Sequence, residues 1–308
     1  MSGRHWAYRH LACKIGFLFV LVASVASAED YDVVPDQVYV ERESGPLKAD
    51  VYLPHGDGPF PAMIVVHGGA WATGTKAQLA GIAQGLAKLG FATAAISYRL
   101  APQDKFPAQV YDCQAAVRWL RANAEKYKVD PNRVGGYGYS AGGHLVALLG
   151  AMDDDDFREP GVPADAPSAR LQLVVAGGAP CDFRMLPGDS TRLAYWLGGT
   201  PGEKPDAYRD ASPTNYVTSD DPPMFFFHGA ADELVPIRSP QRMVDKLKQV
   251  GVPVEFCEIA GAGHMAAVID RPAMLQAVAF AQRNLKAKTP AVGDQEARAP
   301  AESDLHGQ

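Results

Sequence analysis

The chain has 308 residues, of which 47% are hydrophobic and 21% are charged, and this excludes the fibrous, collagen-like and wholly disordered classes. The formal net charge is −6, and no part of the sequence carries a basic stripe. Because phosphate binding needs clustered Lys and Arg, these values argue against nucleic acid as the main partner.

The N-terminal segment, residues 1–28, has the three-part layout of a secretory signal peptide. Arg4, Arg9 and Lys14 make its first part basic. An apolar run of eleven residues follows, and small residues then lead up to Ala28. We expect cleavage after Ala28 and a secreted or periplasmic protein, whose net charge becomes −6 − 3 = −9. The apolar run is too short to cross a hydrocarbon core roughly 30 Å thick, so no stable membrane span is expected after cleavage.

Three cysteines remain in the expected mature chain, Cys113, Cys181 and Cys257. An odd number leaves at least one thiol free, and one disulfide between two of the three stays open. The sequence has no CxxC pair and no helical His-Glu-x-x-His, so it predicts neither a metal site nor a cofactor.

Eight segments have strand patterns, and helical patterns separate most of them. The first two strands, 37–42 and 47–53, alternate apolar and polar residues, which predicts an antiparallel hairpin at a sheet edge. Six short apolar runs follow, at 62–66, 91–97, 133–138, 171–176, 224–227 and 254–259, with helical patterns at 78–89, 108–127, 142–151, 239–250 and 272–285. The alternation predicts an α/β fold: an eight-stranded, mostly parallel sheet with an antiparallel N-terminal edge and helices on both faces.

One long connection interrupts this alternation. Residues 180–223 contain only broken helical patterns, at 190–197 and 204–209, and connections of this length commonly form a lid or a pocket wall. After this domain, 29–287, the chain becomes rich in Ala, Pro, Glu and Gln, which predicts a disordered tail over 288–308.

Ser140 is the candidate nucleophile. It lies in Gly-Tyr-Ser-Ala-Gly (138–142), between a strand pattern and a helical pattern. A serine at such a sharp strand-to-helix turn needs small neighbours, and its hydroxyl projects above the carboxyl end of the sheet. A phosphate-binding loop is the alternative, but no Lys-Ser/Thr follows the glycines.

A serine hydroxyl needs a base and an orienting acid before it can attack a carbonyl. Asp232 follows the strand at 224–227, and His264 follows the strand at 254–259, so both lie at carboxyl ends of strands. The chain order of serine, acid and histidine is the order expected for this kind of sheet. Ser140, Asp232 and His264 therefore form the predicted catalytic triad.

Other residues compete for the acid and base roles. His144 lies one helical turn after the serine, which carries it away from the hydroxyl, and His228 precedes the acid and breaks the expected order. Glu233 is the alternative acid.

The segment His-Gly-Gly-Ala-Trp (67–71, the HGGAW loop) follows the strand at 62–66. Small residues there allow backbone N–H groups to approach a reacting oxygen, so we predict oxyanion donors from Gly69 and Ala70, joined by Ala141 after the nucleophile. An ordinary glycine turn is the alternative.

These motifs together resemble the esterase branch of the α/β-hydrolase superfamily. The resemblance lies in HGGAW (67–71), YRLAP and FPA (98–108), YGYSAGGHL (137–145), HGAADELVP (228–236) and GAGHM (261–265). YRLAP is similar to the hormone-sensitive-lipase-like group, whereas HGGAW is closer to bacterial feruloyl and acetyl-xylan esterases and to kynurenine formamidases. The resemblance implies the α/β-hydrolase fold and ester hydrolysis through Ser140, Asp232 and His264.

Lipase-like relatives carry an N-terminal helical cap, but the hairpin uses most of the chain between the expected cleavage site and Pro59. We therefore expect an open site bordered by Trp71, Tyr139 and the 180–223 insertion, although both aromatics could serve packing alone.

The favoured hypothesis is a secreted serine esterase that acts on short-chain acyl esters, or on acetyl or feruloyl esters of a polysaccharide. The alternatives are an amide hydrolase of the formamidase or peptidase kind and a non-catalytic binding module. The oligomeric state is not determined by any of these patterns.

Overall fold

In the computed structural model, which describes residues 30–285, eight strands form one mixed sheet. In chain order the strands are β1 (Tyr31–Val40), β2 (Leu47–Pro54), β3 (Phe60–Val66), β4 (Ala92–Ile96), β5 (Val129–Tyr139), β6 (Val174–Gly177), β7 (Met224–Gly229) and β8 (Val254–Ile259). Their order across the sheet is β1-β2-β4-β3-β5-β6-β7-β8. Only the β1–β2 and β2–β4 pairs are antiparallel, which confirms the predicted sheet with its antiparallel N-terminal edge.

Eight α-helices surround the sheet within the same residues. They are α1 (Ala80–Lys88), α2 (Ala108–Ala122), α3 (Ala141–Ala151), α4 (Ala194–Leu197), α5 (Pro205–Asp210), α6 (Arg238–Gln249), α7 (His264–Ala267) and α8 (Arg271–Leu285). No helix in this part of the chain is both long and apolar enough to span a bilayer.

Two hydrophobic cores lie on opposite faces of the sheet. Successive side chains of a strand point to opposite faces, so Ile64 and Val66 of β3 join the core under α2, α3 and α6. Met63 and Val65 of the same strand join the second core, under α1 and α8. The predicted helices on both faces are thereby confirmed.

Several element ends differ from the sequence patterns, and the largest difference is at β1, which begins six residues before the pattern at 37–42. The apolar pattern at 171–176 predicts a strand, but β6 begins at Val174. The helical pattern at 108–127 predicts a longer helix than α2, which ends at Ala122. There the Asn123 side-chain amide donates to the Trp119 carbonyl oxygen at 2.8 Å, and Lys128 has a φ of 51°, so the chain turns into β5 instead of continuing the helix.

The parallel strands bring the predicted site residues together, because the carboxyl ends of these strands all meet at one edge of the sheet. The HGGAW loop follows β3, Ser140 follows β5, Asp232 follows β7 and His264 follows β8. The 180–223 insertion lies between β6 and β7, so it emerges at the same edge. The three cysteines in the described residues, Cys113, Cys181 and Cys257, are all free thiols.

Candidate active site

The turn between β5 and α3 holds Ser140 in a strained backbone conformation, with φ of 56° and ψ of −120°. The turn is tight because two glycines allow backbone to approach backbone. A Cβ atom on Gly138 would lie 2.2 Å from the Gly142 carbonyl oxygen, and one on Gly142 would lie 2.0 Å from the Val66 carbonyl oxygen. The Ser140 N–H is held by the Gly177 carbonyl oxygen at 2.8 Å.

The structure brings the three predicted triad residues together in one hydrogen-bonded chain. His264 Nε2 lies 2.9 Å from Ser140 Oγ, and His264 Nδ1 lies 2.6 Å from Asp232 Oδ2. The Asp232 side chain is fully buried, and its other oxygen, Oδ1, accepts from the N–H groups of Leu234 at 2.9 Å and Val235 at 2.8 Å. These bonds fix the carboxylate so that it can orient the imidazole.

His228 lies beside this chain and was not assigned a role from the sequence. Its Nε2 is 2.8 Å from the Val235 carbonyl oxygen and 3.2 Å from Asp232 Oδ2. Because a carbonyl oxygen only accepts, His228 Nε2 carries the proton and also faces the carboxylate. Glu233, the alternative acid, is exposed to solvent.

His144 points away from the serine, as its position on α3 predicts. Its Nε2 donates to the Ala211 carbonyl oxygen at 2.7 Å, and its Nδ1 accepts from the Trp71 indole N–H at 3.2 Å. Burial lowers the pKa of His144 to about 4, so the ring is neutral near pH 7. Its two hydrogen bonds connect Trp71 to Ala211.

The HGGAW loop crosses the site next to Ser140, and a Cβ atom on Gly68 would lie 3.3 Å from Ser140 Cβ. Within the described residues, the N–H groups of Gly69 and Ala70 donate to no protein acceptor. The N–H of Ala141 begins α3, and the first N–H groups of a helix have no partner inside the helix. The structure thus offers three backbone donors of the kind that stabilise an oxyanion.

The directions of these donors are set by the carbonyl groups that share their peptide planes, since C=O and N–H point in opposite directions across a trans peptide. The Gly68 carbonyl oxygen, in the plane of the Gly69 N–H, accepts from His67 Nδ1 at 2.7 Å. The Gly69 carbonyl oxygen, in the plane of the Ala70 N–H, accepts from Thr73 N at 3.0 Å. Because hydrogen bonds fix both carbonyl groups, the N–H groups of Gly69 and Ala70 point away from the partners of those carbonyl groups.

His67 therefore supports the loop and takes no part in the hydrogen-bonded chain to Ser140. It is buried and stacks on Tyr98 with ring centroids 4.2 Å apart, and burial lowers the pKa of His67, which favours the neutral ring. The Tyr98 hydroxyl donates to the His67 carbonyl oxygen at 3.0 Å.

A cavity of about 280 Å³ opens onto Ser140 and is walled mainly by apolar side chains. The loops after β3 and β5 supply Ala70, Trp71 and Ala141. The insertion supplies Pro180, Phe183, Met185, Leu186, Leu193 and Tyr195, and the loop after β7 supplies Leu234, Val235 and Pro236. The volume is near the lower end of the roughly 300–1,000 Å³ typical of small-molecule pockets.

The two aromatics predicted to border the site have different positions. Trp71 lines the cavity, although only 3% of its surface is exposed. Tyr139 is not among the described residues that line the cavity. Its hydroxyl donates to the His264 carbonyl oxygen and its ring packs against His264 and Phe227, so it supports the backbone at His264.

The charges in the cavity wall are arranged to leave little free negative charge near the serine. Asp182 is buried, and its carboxylate accepts from Arg184 Nε at 2.9 Å and from Arg242 Nη1 at 3.1 Å. An unpaired carboxylate here would oppose a developing oxyanion, and these two guanidinium groups neutralise it. Within residues 30–285, no group of three or more His, Cys, Asp or Glu side chains is placed to hold a metal ion.

The sheet order, the strained serine turn and the Ser140–His264–Asp232 chain define the α/β-hydrolase class of protein. Comparison with known families narrows this class further. The chain belongs to the BD-FAE family, whose model matches residues 49–247.

Curated relatives with esterase names share about a third of the aligned residues. Esterase LipC of Mycobacterium tuberculosis is 33% identical over 220 residues, which cover 69% of this chain and 54% of that protein. The probable carboxylic ester hydrolase LipM of the same organism is 33% identical over 215 residues, which cover 67% of this chain and 49% of that protein. The chain thus spans about half the length of these relatives.

Solved structures with the same fold include two esterases. A truncated carbohydrate esterase from gut microbiota superimposes with a TM-score of 0.74 at 27% identity, covering 84% of this chain and 98% of that one. Esterase 2 of Thermogutta terrifontis, with propionate bound, gives a TM-score of 0.69 at 26% identity and covers 82% of this chain and 93% of that one.

Proposed function

We propose that this protein is a serine carboxylic ester hydrolase that works through an acyl-enzyme. The observation that carries the proposal is the continuous chain from Ser140 Oγ through His264 to the buried Asp232, placed beside unpaired backbone donors and an apolar cavity. The esterase names of the relatives support the same reaction.

In the proposed reaction, Ser140 Oγ attacks the ester carbonyl carbon while His264 Nε2 takes the hydroxyl proton. The oxyanion that forms accepts hydrogen bonds from the N–H groups of Gly69, Ala70 and Ala141. The tetrahedral intermediate then expels the alcohol, which receives the proton from His264, and an acyl-serine remains. Water, deprotonated by His264, attacks the acyl-serine, and the carboxylic acid leaves as Ser140 regains its proton.

The substrate class follows from the shape of the cavity and from the relatives. A cavity of about 280 Å³ with mainly apolar walls suits a short acyl chain or a single aromatic ring. The likeness to a carbohydrate esterase supports acetyl or feruloyl esters of a polysaccharide as substrates. Such a substrate agrees with export directed by residues 1–28, which lie outside the described part of the chain.

A panel of acyl esters tests this function against the alternatives. We expect the wild type to hydrolyse acetyl and hydroxycinnamoyl esters, and Ser140→Ala to lose at least about 10⁴-fold in kcat. Ser44→Ala, which changes an exposed serine in the turn between β1 and β2, is the matched control and should retain full activity. A formylated amide assayed beside the esters separates an amide hydrolase from an esterase.

Labelling with a fluorophosphonate separates an enzyme from a binding module. We expect the wild type and Ser44→Ala to be labelled, and Ser140→Ala to remain unlabelled. A wild type that is neither labelled nor active on any ester or amide in the panel contradicts the proposed function.

Export is tested by sequencing the N-terminus of the protein recovered from outside the cytoplasm. We expect a mature N-terminus at Glu29. A protein that stays in the cytoplasm with residues 1–28 intact contradicts this part of the proposal and leaves the esterase reaction standing.

A further inference from the structure

Two consecutive side chains of α4, in the 180–223 insertion, contact the HGGAW loop. The Tyr195 hydroxyl donates to the Ala70 carbonyl oxygen at 2.7 Å. The Trp196 indole stacks on Trp71, with ring centroids 3.7 Å apart and planes 2° from parallel. One short helix therefore holds two successive residues of the loop that carries the proposed oxyanion donors.

Ala70 and Trp71 are also the two non-glycine residues of the loop with left-handed backbone conformations. Their φ values are 51° and 58°. A residue with a Cβ atom pays a steric cost in this region, so such a conformation persists only where neighbouring groups hold it. The contacts from Tyr195 and Trp196 fall on these two residues.

The hydrogen bond from Tyr195 complements the contacts that hold the rest of the loop. The Gly68 and Gly69 carbonyl groups are held by His67 in the loop and by N–H groups just after the loop. The Ala70 carbonyl oxygen, in contrast, accepts from Tyr195 alone among the described residues. The Gly69 carbonyl group fixes the peptide plane that carries the Ala70 N–H, and the bond from Tyr195 fixes the next plane, so the two together restrain the φ and ψ angles of Ala70.

The position of α4 is itself fixed from the protein interior. The Phe106 N–H donates to the Trp196 carbonyl oxygen at 3.1 Å, and the Trp196 indole N–H donates to Gln109 Oε1 at 3.0 Å. Gln109 is fully buried at the start of α2. Burial also raises the pKa of Tyr195, so its hydroxyl keeps the proton that it donates.

We propose that Tyr195 is a positioning residue for the oxyanion donors, acting on the HGGAW loop from the insertion. The proposal rests on the ester hydrolysis proposed above and assigns the insertion a part in turnover as well as in walling the cavity. A residue that only lines the cavity would alter KM, whereas a residue that orients Ala70 alters kcat, because the donors act on the transition state.

The test removes the hydroxyl and keeps the ring. We expect Tyr195→Phe to lower kcat roughly 5- to 30-fold, the effect of one lost hydrogen bond on a barrier, with KM changed by less than about twofold. Binding of a trifluoromethyl ketone, which forms a tetrahedral adduct with the serine, should weaken by the same factor. Tyr216→Phe is the matched control, since this half-buried tyrosine of the insertion donates to the Asp210 carbonyl oxygen at 3.0 Å. An unchanged kcat in Tyr195→Phe, or a change in KM alone, overturns the proposal.

Hydrogen exchange measured by mass spectrometry gives a second readout that needs no turnover. Amides of the 67–74 segment should exchange faster in Tyr195→Phe than in the wild type and in Tyr216→Phe. Equal exchange in the three proteins overturns the positioning role. An inactive, unlabelled wild type refutes the proposed function instead, so the two failures are distinguishable.

Discussion

His228 Nε2 lies 3.2 Å from Asp232 Oδ2, and both side chains are fully buried. The same carboxylate oxygen lies 2.6 Å from His264 Nδ1, so two imidazole rings face one oxygen. Burial lowers the pKa of His228, which keeps this ring neutral with its proton on Nε2. Its Nδ1 has no hydrogen-bond partner among the described residues. His228 therefore contributes one N–H, which it shares between Asp232 and the Val235 carbonyl oxygen.

Mutation of His228 can remove this shared donor. His228→Ala removes a hydrogen bond from Asp232 and leaves the Val235 carbonyl oxygen unpaired, so we expect kcat to fall about tenfold. His228→Gln keeps an N–H donor at a similar reach and should recover most of the loss. Steady-state kinetics on an acetyl ester measures both variants. Equal losses in the two would show that the volume of the ring matters and its N–H does not.

The buried His144 makes the stability of the protein depend on pH. Burial lowers the pKa of His144 to about 4, whereas the unfolded chain binds this proton near the ordinary value of 6.5. Between these two values the unfolded state holds more protons, so the contribution of His144 is complete above about pH 6.5 and is lost as the pH falls toward 4. The loss amounts to about 3 kcal/mol for this single group.

Urea denaturation at pH 7 and pH 5 measures how steeply the free energy of unfolding changes with pH. His144→Gln can still accept from Trp71 and donate to Ala211 but cannot titrate, so its free energy of unfolding should depend less on pH. Ser44→Ala, which changes an exposed side chain that does not titrate, should keep the slope of the wild type. A His144→Gln slope equal to that of the wild type would contradict the assignment.

The size of the cavity should limit the length of the acyl chain. Leu193 lines the cavity, and Leu193→Ala opens room for additional methylene groups. Each buried methylene contributes about 0.8 kcal/mol, so the ratio of kcat/KM for an octanoyl over an acetyl ester should rise roughly tenfold. Leu275→Ala, at a leucine that is 60% exposed on α8, is the control and should leave the ratio unchanged. A ratio that stays constant in Leu193→Ala would place the acyl chain elsewhere.

The backbone is tightly packed beneath Ser140. A Cβ atom on Gly142 would lie 2.0 Å from the Val66 carbonyl oxygen and 2.6 Å from that of His67. Gly142→Ala must therefore push α3 away from β3, and we expect a loss of about 3 kcal/mol or more in stability, together with the activity. Gly81→Ala, in α1 with no atom within 4 Å of the new Cβ, should instead stabilise the protein by roughly 0.5–1 kcal/mol. Thermal unfolding of both variants measures the contrast.

Much of the fold was predictable because its signals are local. Strands buried on both faces appear as short apolar runs, and each of the eight strands in the described residues overlaps a segment that the patterns indicate, although β1 begins six residues earlier than its pattern. Element ends were less predictable. Nothing in the apolar pattern distinguishes 171–173 from β6, and the end of α2 depends on the Asn123 side chain turning back onto Trp119.

Residues that act through distant contacts gave no usable signal in the sequence. The contact between Tyr195 and Ala70 joins residues 125 positions apart, and the segment around Tyr195 shows only a broken helical pattern. His228 had one hint, its position four residues before Asp232, but the spacing does not reveal that the side chain faces the carboxylate.

The order and the placement of the candidate triad follow from local sequence patterns. Parallel strands end at one edge of the sheet, so a serine turn after β5, an acid after β7 and a histidine after β8 must come near one another. What holds these residues in place depends on side chains from separate segments that meet only in the folded protein. Such contacts bury Asp232, surround the neutral rings of His228 and His144, place Tyr139 behind His264 and hold the HGGAW loop against α4. Strand periodicity and turn strain are properties of consecutive residues, whereas hydrogen bonds and desolvation depend on packing between distant residues.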